Sequence, residues 1–381
     1  MDTLRALSEG VLPPAGNRIA LSTAESNAVQ SLFPDRVLSW TNSGTSALAL
    51  ALLAIRRDAP EVDQPEVIIP AYCCPDLVSA ALYAGYTPVF SDLAKDRCHY
   101  DQEALKRALS ERTLAVIAIN FLGVAEPIKS LRVALNRPSV AIIEDNAQWF
   151  PSKPQVQTTA ADYQTFSFGR GKPVNLLGGG LLVSSNDPPR QPGTAKGSAL
   201  QRGLYYGKCM AYNTLLHPTM YQALARNPWL RLGETRYHEH TSIEAFPAGQ
   251  AHLVRANIQT YWSHERRAEK SYRKHLAAIN LLAPQIEASE ERLLRYPLLL
   301  ESRETRNALL HKLNERGLGA TTLYSDTIDR VNDVPQQRLR QAGDNANAAS
   351  FAQRFLTLPV HEGVKAHHIE RTLTVIDCVV G

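Results

Sequence analysis

Between residues 37 and 185 the sequence alternates short apolar runs with stretches of helical spacing, and this alternation limits the fold more than any other feature. The apolar runs are VLSW from Val37, EVIIP from Glu66, PVFSD from Pro88, LAVIAIN from Leu114, SVAIIED from Ser139, TFSF from Thr165 and GGLLVSS from Gly179. Several are continuously apolar instead of alternating, the pattern of strands covered on both faces. Between them, helices are expected over Ser46–Arg57, Asp76–Ala84 and Asp101–Ser110. Strand, helix, strand repeated this often predicts an α/β domain with a doubly wound, mostly parallel sheet.

The Pro/Gly loop from Asp187 closes this block, and an apolar, aromatic segment follows from about Leu200 to Gly233. His217–Pro218 and Asn227–Pro228 interrupt it, which predicts one or two short helices. Two readings stand for this segment: a packed core or subunit-interface lobe, or a substrate or membrane surface. A long helix is expected over about 248–279, then strand RYPLLL, helix Glu304–Arg316, strand GATTLY, helix Asn345–Arg354, strand FLTLPV and a last helix from Ala366. At roughly 150 residues per domain, 381 residues suit two domains. The division expected is 1–245 for a large α/β domain, with an apolar insert at about 187–240, and 246–381 for a smaller C-terminal α/β domain.

Charge narrows the partners. Lys plus Arg is 41 against 37 for Asp plus Glu, too thin an excess to predict nucleic acid binding. The basic cluster Arg266, Arg267, Lys270, Arg273 and Lys274 alternates with Glu265 and Glu269, as on the solvated face of a helix. Five cysteines without CxxC spacing suggest neither a disulfide framework nor a zinc site. The N-terminal MDTLRALSEG lacks the pattern of a signal peptide. The longest clean apolar run, Ala47 to Ile55, falls far short of the ~20 residues that span a bilayer. A cytoplasmic location is expected.

Three segments carry chemistry. TNSGTSALALALLAI sets Gly44, Thr45 and Ser46 at a helix N-terminus, where free N–H groups favour a phosphate, though Ser and Thr also serve there as ordinary caps. AIIEDNAQ ends a strand with Glu144 and Asp145, then Gln148. A carboxylate there lies on the ligand-binding edge of an open sheet, or else caps the next helix. In TFSFGRGKPVNLLGGG, Ser167 ends a strand and Lys172 follows in a glycine-bearing loop, where a desolvated amine can act as a nucleophile. It is not a phosphate-binding GxxxxGK[ST] loop.

In this order the segments are recognisable. The chain resembles the DegT/DnrJ/EryC1/StrS family of pyridoxal-phosphate-dependent aminotransferases, which commonly act on nucleotide-linked keto-sugars. NSGTSALALAL is similar to the family's SGTxAL, EVIIPAYCCPDLVSAALYAGYTPVFSDL to its "VIxPxxTxxxTxxAxxxxGAxPVFxD", AIIEDNAQ to IEDxAQ, FSFGRGK to SFxxxK, and RFLTLPVHEGV to its "LxLPxxxxL" strand. The resemblance implies a type I fold and pyridoxal 5'-phosphate held by Lys172 as a Schiff base. It also implies that Asp145 pairs with the pyridinium nitrogen, Gln148 lies near the phenolic oxygen, and Gly44, Thr45, Ser46 and Ser167 hold the phosphate. Lys172 stands where the family's dehydratases carry His. An amino-acid donor, glutamate or glutamine, a keto-sugar or other carbonyl acceptor, and a homodimer with sites between subunits follow from the same source.

Departures from the family lie around the ring and the subunit contact. Cys74 occupies the ring-stacking position, and Tyr72, two residues earlier, is expected on the same face if the chain is extended there. The GEGG turn reads LGGG from Leu177. The cross-subunit GxNxRM stretch falls on RYHEHTS, with His238 in the Asn place and His240 in the Arg place. His238 and Tyr324, which follows the GATT strand, are expected to contact substrate. His99 and His361 read as packing residues. Two alternatives to an aminotransferase stay open: a lyase or racemase on the same fold, and a non-catalytic relative that binds the cofactor.

Overall fold

The computed structural model describes residues 10–22, 29–188, 192–225, 227 and 235–380. All seven apolar runs of the first half form strands: β1 (Val37–Thr41), β2 (Glu66–Pro70), β3 (Thr87–Ser91), β4 (Thr113–Ile119), β5 (Ala141–Asn146), β6 (Tyr163–Ser167) and β7 (Gly180–Ser184). Helices α1 (Gly44–Arg57), α2 (Asp76–Tyr83), α3 (Gln102–Ala108) and α4 (Ile128–Leu135) alternate with them. The sheet order is β1-β7-β6-β5-β4-β2-β3-β9, where β9 is Arg340–Gln341. β6, β5, β4, β2, β3 and β9 run parallel, and β7 and β1 add antiparallel at one edge.

Continuous apolar strands mean two covered faces, and the packing bears this out. Val67 and Ile69 of β2 join the core that contains α1 and α2, while Ile68 between them packs with Val116 and the Leu105 and Leu131 side chains of α3 and α4. α1 is clad on almost every side: Ala47 through Leu52 are buried without exception. Its start is fixed by Ser43, whose Oγ accepts the Ser46 N–H at 3.0 Å. Gly180 permits this start to press on β7, since a Cβ there would stand 2.1 Å from the Ser43 carbonyl oxygen.

The apolar segment after the sheet forms a hairpin of α5 (Ala199–Leu215) and α6 (Pro218–Ala225); residues 226 and 228–234 of that segment lie outside the described residues. The single long helix expected over about 248–279 is instead three: α7 (Ala248–Ala251), α8 (Val254–Ser263) and α9 (Arg267–Leu276). Arg292 ends α8 by donating from Nη2 to the Trp262 carbonyl at 3.1 Å. After α10 (Ala283–Glu287), the C-terminal part pairs β8 (Arg295–Leu299) antiparallel with β10 (Phe355–Pro359), flanked by α11 (Arg303–Glu315), α12 (Ala346–Arg354) and α13 (Ala366–Val380). GATTLY is not a strand; only a bridge from Thr321 to Thr357 forms.

Packing runs across residue 245 in two places. Phe246, Leu253, Val254 and Ile258 share a core with Phe166, Phe168 and Leu181, so α7 and α8 pack on the large sheet. β9 extends that sheet from within the C-terminal part. Among the described residues no helix is long and apolar enough to cross a membrane.

Candidate active site

A cleft of about 540 Å³, counted to its open mouth, lies where β4, β5 and β6 end and α1 and α2 begin. This is the carboxyl edge of the parallel sheet, where open α/β folds bind ligands. Lys172, Asp145, Gln148, Ser167, Gly44, Thr45, Cys74 and Tyr324, singled out from separate stretches of sequence, all line it.

Asp145 forms its floor. Strand pairing sets it between Ile119 of β4 and Thr165 of β6. It is buried, and its Oδ1 accepts the Ala147 N–H at 3.0 Å. Burial raises its pKa above the ordinary carboxylate value, opposed by that N–H and by the Lys172 ammonium. Among the described residues no basic side chain forms an ion pair with it. A buried acid that lacks a cationic hydrogen-bond partner fits the protonated ring nitrogen expected there.

Lys172 lines the cleft from a loop closed through one residue's backbone. Phe168 accepts the N–H groups of Leu176 (2.8 Å) and Gly178 (3.2 Å) and donates its own to Gly179 (2.9 Å). The Phe168 ring is fully buried and stacks on Trp40 at 5.7 Å. The loop is therefore anchored on both sides of the lysine.

Gly44 and Thr45, in the first turn of α1, line the cleft together with Ser167. Free N–H groups at a helix start favour phosphate. A Cβ on Gly44 would lie 2.6 Å from the Ser167 Cβ, so only glycine lets the two segments meet. Ser46, expected to join them, does not line the cleft. Its hydroxyl is buried, donates to Asn42 Oδ1 at 2.6 Å and accepts from Ser43 at 3.0 Å, which ties it to the residues that precede α1.

Gln148 is held from two sides. Its Oε1 accepts the Leu122 N–H at 2.9 Å, and its Nε2 donates to the Tyr324 hydroxyl at 2.6 Å. Leu323, at φ +64, turns the chain in the left-handed region and delivers Tyr324 to the cleft. Burial raises the Tyr324 phenol well above its ordinary pKa, so it stays neutral.

Cys74 lines the cleft and Tyr72 does not. β2 ends at Pro70 and the chain bends over residues 71–73, so period-two alternation does not carry across. Tyr72 is 2% exposed, its hydroxyl donates to the Thr322 carbonyl at 2.8 Å, and its ring meets Tyr324 edge-on at 5.3 Å. The Cys74 thiol is pushed up to about 12, by burial first and then by Asp76. Asp76, also in the lining, escaped the sequence reading because an acid at the first position of a helix reads as an ordinary end residue. Thr165 and Ile119, inside apolar strands, gave no signal either.

The remaining candidates lie outside the cleft. His238 is exposed, and its carbonyl accepts from Ser79 Oγ. His240 stands 3.4 Å from Ser46 Oγ of the same chain and edge-on to Tyr83. Glu144 is consumed by Asn120 (2.9 Å), Thr159 (2.8 Å) and Gln164 (2.9 Å). His361 bonds the Pro13 carbonyl and His99 the Gln285 amide, each at 2.8 Å, and burial lowers both to about 4.

Residues 35–192 and 246–379 match the DegT/DnrJ/EryC1/StrS aminotransferase family. The chain is 25% identical over 346 residues to UDP-N-acetyl-3-dehydro-alpha-D-glucosamine 3-aminotransferase of Acidithiobacillus ferrooxidans, covering 88% of this chain and 82% of that protein. Over 148 residues it is 30% identical to GDP-perosamine synthase of Vibrio cholerae, 38% of this chain and 39% of that one. Its fold is similar to that of a Streptococcus pneumoniae protein described as a sugar aminotransferase and solved in its PLP form, with a TM-score of 0.66 at 20% identity over 100% of this chain and 96% of that one. It is also similar to Helicobacter pylori PseC, an aminotransferase in pseudoaminic acid biosynthesis, with a TM-score of 0.65 at 17% identity over 99% and 95%.

Proposed function

This chain belongs to the DegT/DnrJ/EryC1/StrS aminotransferase family, and we propose on that footing that it moves an amino group from glutamate or glutamine to a nucleotide-linked keto-sugar. The enzyme is a transferase and its cofactor is pyridoxal phosphate. The observation that carries the reading is the convergence of Lys172, Asp145 and Gln148 on one cleft with the start of α1. The substrate class is supported by the names of relatives that act on UDP- and GDP-linked or aminated sugars.

Pyridoxal phosphate, when bound, supplies an aldehyde that condenses with amines and a ring that draws electrons from the adjacent carbon. Lys172 would hold it through Nζ. Asp145 keeps the ring nitrogen protonated: a carboxylate already disfavoured by burial gains most from a cationic partner. Gly44, Thr45 and Ser167 fix the phosphate, and Gln148, immobilised by Leu122 and Tyr324, holds a donor toward the ring oxygen. With the cofactor bound and a substrate amine in place of Lys172, its free Nζ would serve as the base at the substrate's α-carbon and then as the acid. Cys74 in place of a stacking ring leaves that face of the cleft less filled. Two copies are proposed to pair, with His238 and the segment around it facing the partner subunit or its substrate. A cytoplasmic setting accords with five unpaired cysteines.

The test is incubation of the cofactor-loaded protein with L-glutamate and a UDP- or GDP-linked 3-keto- or 4-keto-sugar, read by mass spectrometry. Stoichiometric 2-oxoglutarate and amino-sugar support the proposal. Turnover of an amino acid without amino-sugar formation favours a lyase or racemase.

A further inference from the structure

We propose that the α5–α6 hairpin is a docking surface for an anionic phospholipid bilayer. Seven large apolar side chains are conspicuously exposed among the described residues, and five of them, Leu200, Leu204, Met210, Leu215 and Met220, lie on this hairpin. The inner side of α5 is committed to the protein. Tyr205 donates to the Leu176 carbonyl at 2.8 Å, Cys209 is fully buried, and Asn213 exchanges hydrogen bonds of 2.8 and 2.9 Å with the Ile19 backbone. The outer side is thus held rigidly outward. Gly203 and Gly207 lie on it, each with open space where a Cβ would be. A solvent-facing helix normally carries charge on this side. Here Leu200 is 72% and Leu204 67% exposed.

Charge identifies the occupant. From 188 to 233 the sequence holds six basic residues, Arg190, Lys196, Arg202, Lys208, Arg226 and Arg231, and no Asp or Glu. That excess is larger than the net +4 of the whole chain. Lys196 and Lys208, in the described part, are exposed beside the apolar row. A twofold contact centred on this segment would set it, acid-free, against itself, whereas an anionic headgroup layer complements it while the acyl boundary receives the leucines and methionines. The hairpin thus attaches to a surface through its outer side while Tyr205 on its inner side holds the loop that carries Lys172.

The test is flotation of the cofactor-loaded protein with vesicles of equal parts phosphatidylglycerol and phosphatidylcholine, against phosphatidylcholine alone. The protein is expected to float with the anionic vesicles only, and less so as salt rises. Leu200→Glu/Leu204→Glu/Met210→Glu lowers partitioning at least about tenfold, and Lys196→Glu/Lys208→Glu lowers it roughly fivefold per lysine. Both variants keep the wild-type melting temperature and cofactor absorbance, which separates lost docking from lost folding. No flotation of the wild type, or equal flotation of all three proteins, overturns the proposal. So does a wild type that stays unbound while the triple variant sediments at lower mass, since a second copy then covers the face.

Discussion

The side-chain amide of Gln148 donates a 2.6 Å hydrogen bond to the hydroxyl of Tyr324, joining the residue beyond β5 to a turn of the C-terminal part. Because both groups are buried, the bond positions the glutamine and has no solvent substitute. Tyr324→Phe leaves the amide without its acceptor, at a cost of about 1–3 kcal/mol in unfolding free energy. Transaminase kcat/KM falls roughly tenfold as Gln148 loosens. Tyr72→Phe, which removes a bond to the Thr322 carbonyl away from the cleft, is expected to lower stability with little effect on turnover. Denaturant melts and steady-state kinetics on both variants check the contrast.

Neighbouring hydroxyls at the start of α1 should behave oppositely. Thr45 lines the cleft, and the Ser46 hydroxyl is buried against Asn42 and Ser43. Thr45→Ala therefore weakens cofactor binding roughly tenfold with a small change in melting. Ser46→Ala costs about 1 kcal/mol of stability and leaves cofactor affinity near wild type. Titration of the apoprotein with pyridoxal phosphate, beside thermal melts, distinguishes the two.

Gly44→Ala forces a methyl group to 2.6 Å from the Ser167 Cβ. Relief requires moving either the helix start or the β6 end, which together line the proposed phosphate site. Cofactor affinity and stability are expected to fall together, stability by about 1–3 kcal/mol. A variant that loses only one of them contradicts the shared-contact account.

Glu126 sets a pH dependence away from the cleft. Burial raises its carboxyl to about 8, partly offset by the Tyr100 N–H. The folded value exceeds the unfolded one, so the folded state favours the protonated acid. That contribution is complete below about 4.5 and is lost as pH rises toward about 8. Glu126→Gln should match wild type at the acid end and become the more stable protein above the window, by up to about 5 kcal/mol. Unfolding free energies across that range give the slope; equal slopes in the two proteins would exclude Glu126 as its source.

Much of this architecture is written in local sequence, because parallel strands buried on both faces must be largely apolar, as β2 and β4 are. Lys172, Asp145 and Gln148 were legible because Asp145 lies at a strand end on the binding edge and the other two follow such ends. The long helix over about 248–279 was misread for a different reason. No Gly or Pro marks the breaks within it, and the end of α8 is set by Arg292, a residue distant in sequence. Tyr72 was misplaced because alternation holds only within a strand, and β2 ends at Pro70. Asp76, Thr165 and Ile119 reach the cleft through pairing and packing that no local pattern records.

The central claim is that Lys172 carries pyridoxal phosphate and releases it to an amino donor. The most direct measurement is the visible absorbance spectrum of the cofactor-loaded protein before and after L-glutamate, beside Lys172→Ala. The account predicts a long-wavelength band in the wild type alone, which bleaches when glutamate is added. A wild type without such a band, or a band that survives in Lys172→Ala, would contradict it.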